Sequence, residues 1–199
     1  RRVLFRSGFR FFAHDSEHTL LDVNSDRTGP YPAGNPVNGG GFLKSNPQYL
    51  WQELSPNPEF AMLVADRVQM HCFNGGALSI EAASARFLSR SNQLYRAVVG
   101  ESARWGDSKR PTAPLKREDW QAATKNAYDN FIRGRTPVLI NQLRAKGLFP
   151  SLNAPTLSQF GGSVQSGYSL ILTNPNASGQ IYYTLDGSDP RLQGGAINS

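Results

Sequence analysis

The 199-residue sequence predicts a mainly α domain followed by an all-β module that is cut short. Two observations carry this. Apolar residues recur at helical spacing from about residue 48 to 146, then give way to two runs of strand-forming residues. Charge density falls at Pro150: residues 8–150 hold 17 basic and 13 acidic residues, whereas residues 151–199 hold only Arg191, Asp186 and Asp189. Residues 151–155, rich in small polar residues and ending in Pro155, are read as the boundary. A content of 39% hydrophobic and 11% aromatic residues is enough for a packed core.

Taken in order, Phe9-Arg10-Phe11-Phe12-Ala13 suits a short aromatic strand. Residues 22–47 are crowded with Gly, Pro and Asn and read as an irregular loop, a length that usually goes with function. A short helix is expected over 48–54. Pro58 suits the first turn of the next, whose face is Phe60, Leu63, Val64, Val68 and Cys72, with Asn74-Gly75-Gly76 as its stop. Ser79 is positioned to cap a further long helix carrying Ile80, Phe87, Leu88, Leu94, Tyr95 and Val98, which Gly106 and Pro111 end. Trp120, Ala123, Thr124, Ala127 and Phe131 mark a helix over 117–133, closed by Gly134. Thr136-Pro137 reads as a cap and first turn, with Gly147 past the last turn. In the tail, residues 168–173 and 180–185 read as strands separated by turn-forming clusters. A β-sandwich needs about seven strands, so the expectation is a truncated module.

The net charge of +6 overstates the basicity of the folded part. Residues 1–7, RRVLFRS, read as a sequencing-adapter artefact, against the alternative of a genuine strand through Val3-Leu4-Phe5. Without them 18 basic residues face 15 acidic ones, a net +3, which does not support a nucleic-acid partner. No apolar run reaches the roughly 18–20 residues of a membrane span. The single Cys72 excludes an intrachain disulfide and a multi-cysteine zinc site; it is read as a small core residue.

The sharpest chemical candidate is the run Phe11-Phe12-Ala13-His14-Asp15-Ser16-Glu17-His18. Asp15 and Glu17, two apart on extended backbone, point to one side. Two acids at a strand end suit a hard cation such as Mg²⁺, which prefers oxygen ligands. The alternative is a turn with solvated acids, and spacing alone favours it, because D-x-E is very common. His14 and His18 have no Cys or His partners at zinc-binding spacing. Lys109, Arg110, Lys116 and Arg117 read as solvated charge around a Pro-rich loop, and Trp51, Trp105 and Trp120 as packing anchors.

These residues carry a resemblance. From Phe9 to about Pro150 the chain resembles the C-terminal part of a CotH-family domain, a group of atypical protein kinases. The resemblance rests on residues 11–17, on Pro47-Gln48-Tyr49-Leu50-Trp51-Gln52-Glu53-Leu54 and on residues 60–68. It continues through Phe73-Asn74-Gly75-Gly76 and Glu101-Ser102-Ala103-Arg104-Trp105-Gly106-Asp107. It implies the helical lobe of a kinase-like α+β fold, with Asp15 as the Mg²⁺-holding acid and Glu17 as its partner. Glu17 stands where the family has a second Asp, and His14 where Trp is common. The implied cofactor is Mg²⁺ with ATP, in the complete protein only. The nucleotide-binding lobe, its Lys and the catalytic Asp–Asn segment are expected upstream of Gly8, so this polypeptide alone is expected to be inactive. Residues 178–191 resemble the start of a chitobiase/β-hexosaminidase C-terminal-type domain, an immunoglobulin-like accessory module of secreted or cell-surface proteins. That implies an extracellular setting, with a protein substrate and surface or polysaccharide association. A non-catalytic adhesion protein is the competing expectation. A carbohydrate-active enzyme ranks below both, since residues 8–150 offer no convincing pair of buried catalytic carboxylates.

Overall fold

A computed structural model describes residues 19–20, 22–29, 47–108 and 110–198. Residues 1–18 lie outside that set, and with them the aromatic strand, Asp15, Glu17 and both candidate histidines; so do residues 30–46 of the Gly/Pro-rich segment and Lys109. The described part is mainly helical: α1 (Pro47–Leu54), α2 (Pro58–Cys72), α3 (Ile80–Leu94), α4 (Ala97–Trp105), α5 (Arg117–Ala127) and α6 (Arg135–Ala145).

Helix α2 starts where Asn57 Oδ1 accepts the amides of Glu59 (2.9 Å) and Phe60 (3.3 Å), with Pro58 in the first turn. It stops where Asn74 and Gly75 both take positive φ, 51° and 77°. Helix α6 ends in a Schellman turn. The Leu148 amide donates to the Leu143 carbonyl (2.9 Å) and the Gly147 amide to that of Arg144 (3.0 Å), and Gly147 sits at φ 70°. That turn folds the chain back, so that Leu148 and Phe149 join Val64, Cys72, Ile140 and Leu143 in the core. Trp51, Phe60 and Val68 pack around these six, and Phe73 stacks on Phe149 with centroids 5.9 Å apart. The core therefore lies between α1, α2 and α6.

Helices α3, α4 and α5 form an outer layer with no fully buried residue. Ser79, itself buried, caps α3 through a bond from the Ala82 amide (3.3 Å). The long helix expected from 80 to 105 is broken at Tyr95-Arg96. Ser91 Oγ donates to the carbonyl of Phe87, four residues back (2.9 Å), in the last full turn before the break. The helix expected over 117–133 is α-helical only to Ala127. It then widens to a π-helical turn, Tyr128–Ile132, which places Tyr128 against Phe87 at 6.1 Å. Thr136 is not a cap. It lies inside α6, and its hydroxyl donates to the Leu78 carbonyl (2.7 Å), tying α6 to the loop before α3.

The tail departs most from expectation. Among the described residues its only ladder is β1 (Thr156–Leu157) antiparallel to β2 (Leu172–Thr173), plus an isolated bridge between Arg191 and Ile197. β1 was not anticipated. Residues 180–185, expected as a strand, form none, and Tyr183 and Leu185 stand 66% and 93% exposed. Alternating strand formers need a neighbouring strand and a face to bury, and a two-stranded ladder alone is marginal. An immunoglobulin-like sandwich is therefore not formed by the described residues.

Candidate functional site

Asp15 and Glu17 lie outside the described residues, but the segment that follows them does not. Residues 22–29 run along the helical unit and are held mainly by their own carbonyls. Arg135 Nη1 donates to Val23 O (2.6 Å), Gln142 Nε2 to Asn24 O (2.9 Å) and Trp51 Nε1 to Thr28 O (2.8 Å). Asp26 shapes this stretch from within. Its Oδ1 accepts the Thr28 hydroxyl (2.6 Å) and the Thr28 amide (2.8 Å), and Lys146 stands 3.8 Å from its other oxygen. The Thr28 hydroxyl, helped by that amide and by Lys146, holds the Asp26 carboxyl below its ordinary range. Sequence reasoning missed Arg135 and Gln142 as positioning residues, because their targets are backbone groups more than a hundred residues away.

The segment ends beside a groove of about 740 Å³ between α1, α2 and α6. Leu50, Trp51, Phe60, Leu63, Val64 and Leu139 are among its walls. Trp51 and Phe60 meet edge to face with centroids 5.4 Å apart, which fixes the corner between α1 and α2. Leu50 and Leu63 remain about half exposed, at 48% and 51%. Among the described residues, the charged or ionisable side chains lining the groove are Arg27, Arg67, His71, Cys72 and Arg135, with no Asp or Glu. Size and apolar lining are those of a ligand cleft.

Helix α2 presents a different surface to the tail. Glu59, Met62 and Asp66 share a stripe, and the tail lies on it. Arg191 forms a two-pronged bond to Asp66 (3.1 and 2.8 Å) while its Nε and Nη2 also meet Asp189 (3.0 and 2.9 Å). Those two carboxylates push the Arg191 pKa upward, so its charge is permanent. The Gly194 amide donates to Glu59. Asp186 and Asp189 each close their own turn, Asp186 accepting from Ser188 N (2.9 Å) and Asp189 from Arg191 N (2.8 Å).

Of the remaining candidates Cys72 is a packing residue, whereas Trp105, expected as a packing anchor, is not buried. Cys72 is buried, and desolvation raises its thiol pKa, the reverse of an activated nucleophile. Trp105 is half exposed with Arg104 4.9 Å above its ring, and Arg117 lies 4.8 Å from the Tyr95 ring. Among the described residues no three His, Cys, Asp or Glu side chains converge as a metal site would require. Among the same residues no helix is long and apolar enough to cross a membrane. Comparison with family models, curated proteins and solved structures returned no match to this chain.

Proposed function

We propose that this chain supplies the helical lobe and the metal-holding acids of a secreted or cell-surface atypical protein kinase of the CotH kind. Asp15 binds Mg²⁺ and Glu17 shares the cation or its waters, once a nucleotide-binding lobe brings ATP to them. The observation that carries the reading is the anchoring of residues 22–29. Phosphoryl transfer depends on positioning charged groups rather than on covalent help from the protein. A metal-bearing segment must therefore be tied to a rigid lobe. Arg135, Gln142 and Trp51 supply three such ties a few residues beyond Glu17.

The test joins this chain to a nucleotide-binding lobe and follows Mg²⁺- and ATP-dependent phosphorylation of a protein substrate. Asp15→Asn keeps the side-chain shape and removes the charge, so phosphorylation falls to background while the circular dichroism spectrum is unchanged. Undiminished phosphorylation by Asp15→Asn overturns the assignment. A second reading, a non-catalytic extracellular adhesion protein, is favoured by the exposed aromatic surface of the tail, where Tyr168, Tyr182 and Tyr183 all face solvent. Absence of any ATP or Mg²⁺ binding in the joined protein selects that reading.

A further inference from the structure

Helix α2 sorts its charges by face, and among the described residues the groove receives only cationic charge from it. Its acids Glu59 and Asp66 face the tail and are already occupied by the Gly194 amide and the Arg191 guanidinium. Its cationic side chain Arg67 and its His71 stand on the groove side, with Leu63 and Val64 beside them. Two more arginines reach the groove from other elements, Arg27 from the anchored segment and Arg135 from α6. Arg135 is engaged, since its two terminal nitrogens donate to Val23 O and to Gln142 Oε1 (3.2 Å). Arg67 has only a long contact to the Met70 sulfur (3.9 Å), and Arg27 makes no hydrogen bond or ion pair among the described residues. Among the described residues, an apolar trough is thus bordered by two guanidinium groups, Arg67 and Arg27, that no carboxylate pairs.

We propose that this groove binds an anionic amphiphile, a medium-chain carboxylate. Its hydrocarbon chain lies along Leu50, Phe60, Leu63 and Leu139, and its headgroup meets Arg67 and Arg27. The guanidinium fork matches a carboxylate in geometry and charge, and its weak hydration lowers the cost of pairing beside apolar walls. The chain supplies affinity through burial, about fourfold per methylene.

Isothermal titration of the full chain with dodecanoate, decanoate and dodecyltrimethylammonium, all below micellar concentration, tests this. Dodecanoate binds saturably at one site. Decanoate, two methylenes shorter, binds about sixteenfold more weakly, and the cationic amphiphile at least ~10-fold more weakly. Arg67→Gln, an exposed position whose change leaves the helical circular dichroism intact, weakens dodecanoate binding about tenfold or more. Leu63→Ala weakens dodecanoate and the cationic amphiphile alike, which separates the chain contact from the headgroup contact. The proposal is overturned by an absence of saturable dodecanoate binding, as a groove filled by the protein's own chain or reserved for an acidic peptide would give. It is equally overturned by equal binding of the cationic amphiphile, or by an Arg67→Gln protein that binds dodecanoate as the wild type does.

Discussion

The helical unit over residues 47–149 and the tail over residues 151–198 are held by different forces. The first buries six apolar side chains in one cluster, from Val64 to Phe149. The tail contributes none to that cluster, and its strands are two residues long. It is fixed instead by polar contacts: the Arg191–Asp66–Asp189 network, the Glu59 bond to Gly194, and the paired bonds between Asn153 and Asn176 (3.0 and 2.9 Å). Apolar burial involves no titrating group and is not weakened by charge screening, whereas exposed ion pairs are worth little and are screened. The helical unit should therefore set global stability, and the tail should respond to solution conditions.

The largest effect expected of a single change is in the helical core. Leu143, 4% exposed, is both a core residue and the acceptor in the Schellman turn of α6. Leu143→Ala leaves a cavity and should cost about 2–5 kcal/mol in denaturant unfolding. A loss below about 1 kcal/mol would mean that the cluster is not the stabilising core. Next comes the tie between the anchored segment and the lobe. Trp51→Phe keeps most of the ring packing on Phe60 but removes the bond to Thr28 O, at a cost of about 1 kcal/mol. Amide exchange should quicken across residues 22–29 more than in α2; uniform change would show that the segment is not held there.

In the tail, Arg191→Met should leave helical unfolding unchanged and speed amide exchange several-fold over 190–198. The same contact has a defined pH dependence. Hydrogen bonds from the Arg191 side chain and amide lower the Asp189 pKa from its ordinary 3.8. A depressed carboxyl contributes stability that is complete above the unfolded value and is lost as pH falls through the lower folded value. Tail protection should hold at neutral pH and disappear in strong acid, before the helices melt; simultaneous loss would merge the two regions into one cooperative unit. Smallest of all is the effect of removing residues 151–199. The core closes at Phe149, so an 8–150 protein should keep its helical circular dichroism. Lost helix on truncation would move the boundary.

Where the two regions differ in stability they also differ in how far they could be read in advance. Helix ends in the core half were legible because local chemistry specifies them. Pro58 opens α2 and Asn74-Gly75 closes it, Ser79 caps α3, and Gly147 supplies the left-handed residue that a Schellman turn requires. The break at Tyr95-Arg96 and the π-helical turn at Tyr128–Ile132 carry no Gly or Pro, so no local signal marked them. In the tail, the strand formers at 180–185 were read correctly as residue types. Their conformation nevertheless depends on a neighbouring strand that a local pattern does not guarantee.

The sequence by itself determined the number and approximate ends of the core helices, the apolar face of α2 and the charge step at Pro150, because propensity, capping and periodicity act over a few residues. Only the tertiary structure decided which face of α2 meets the groove and which meets the tail. It also decided that Arg135 and Gln142 hold a segment some 110 residues earlier, and that Arg191 finds Asp66 across 125 positions. Those pairings reflect how helices pack around six buried side chains, and packing geometry joins residues without regard to their separation along the chain.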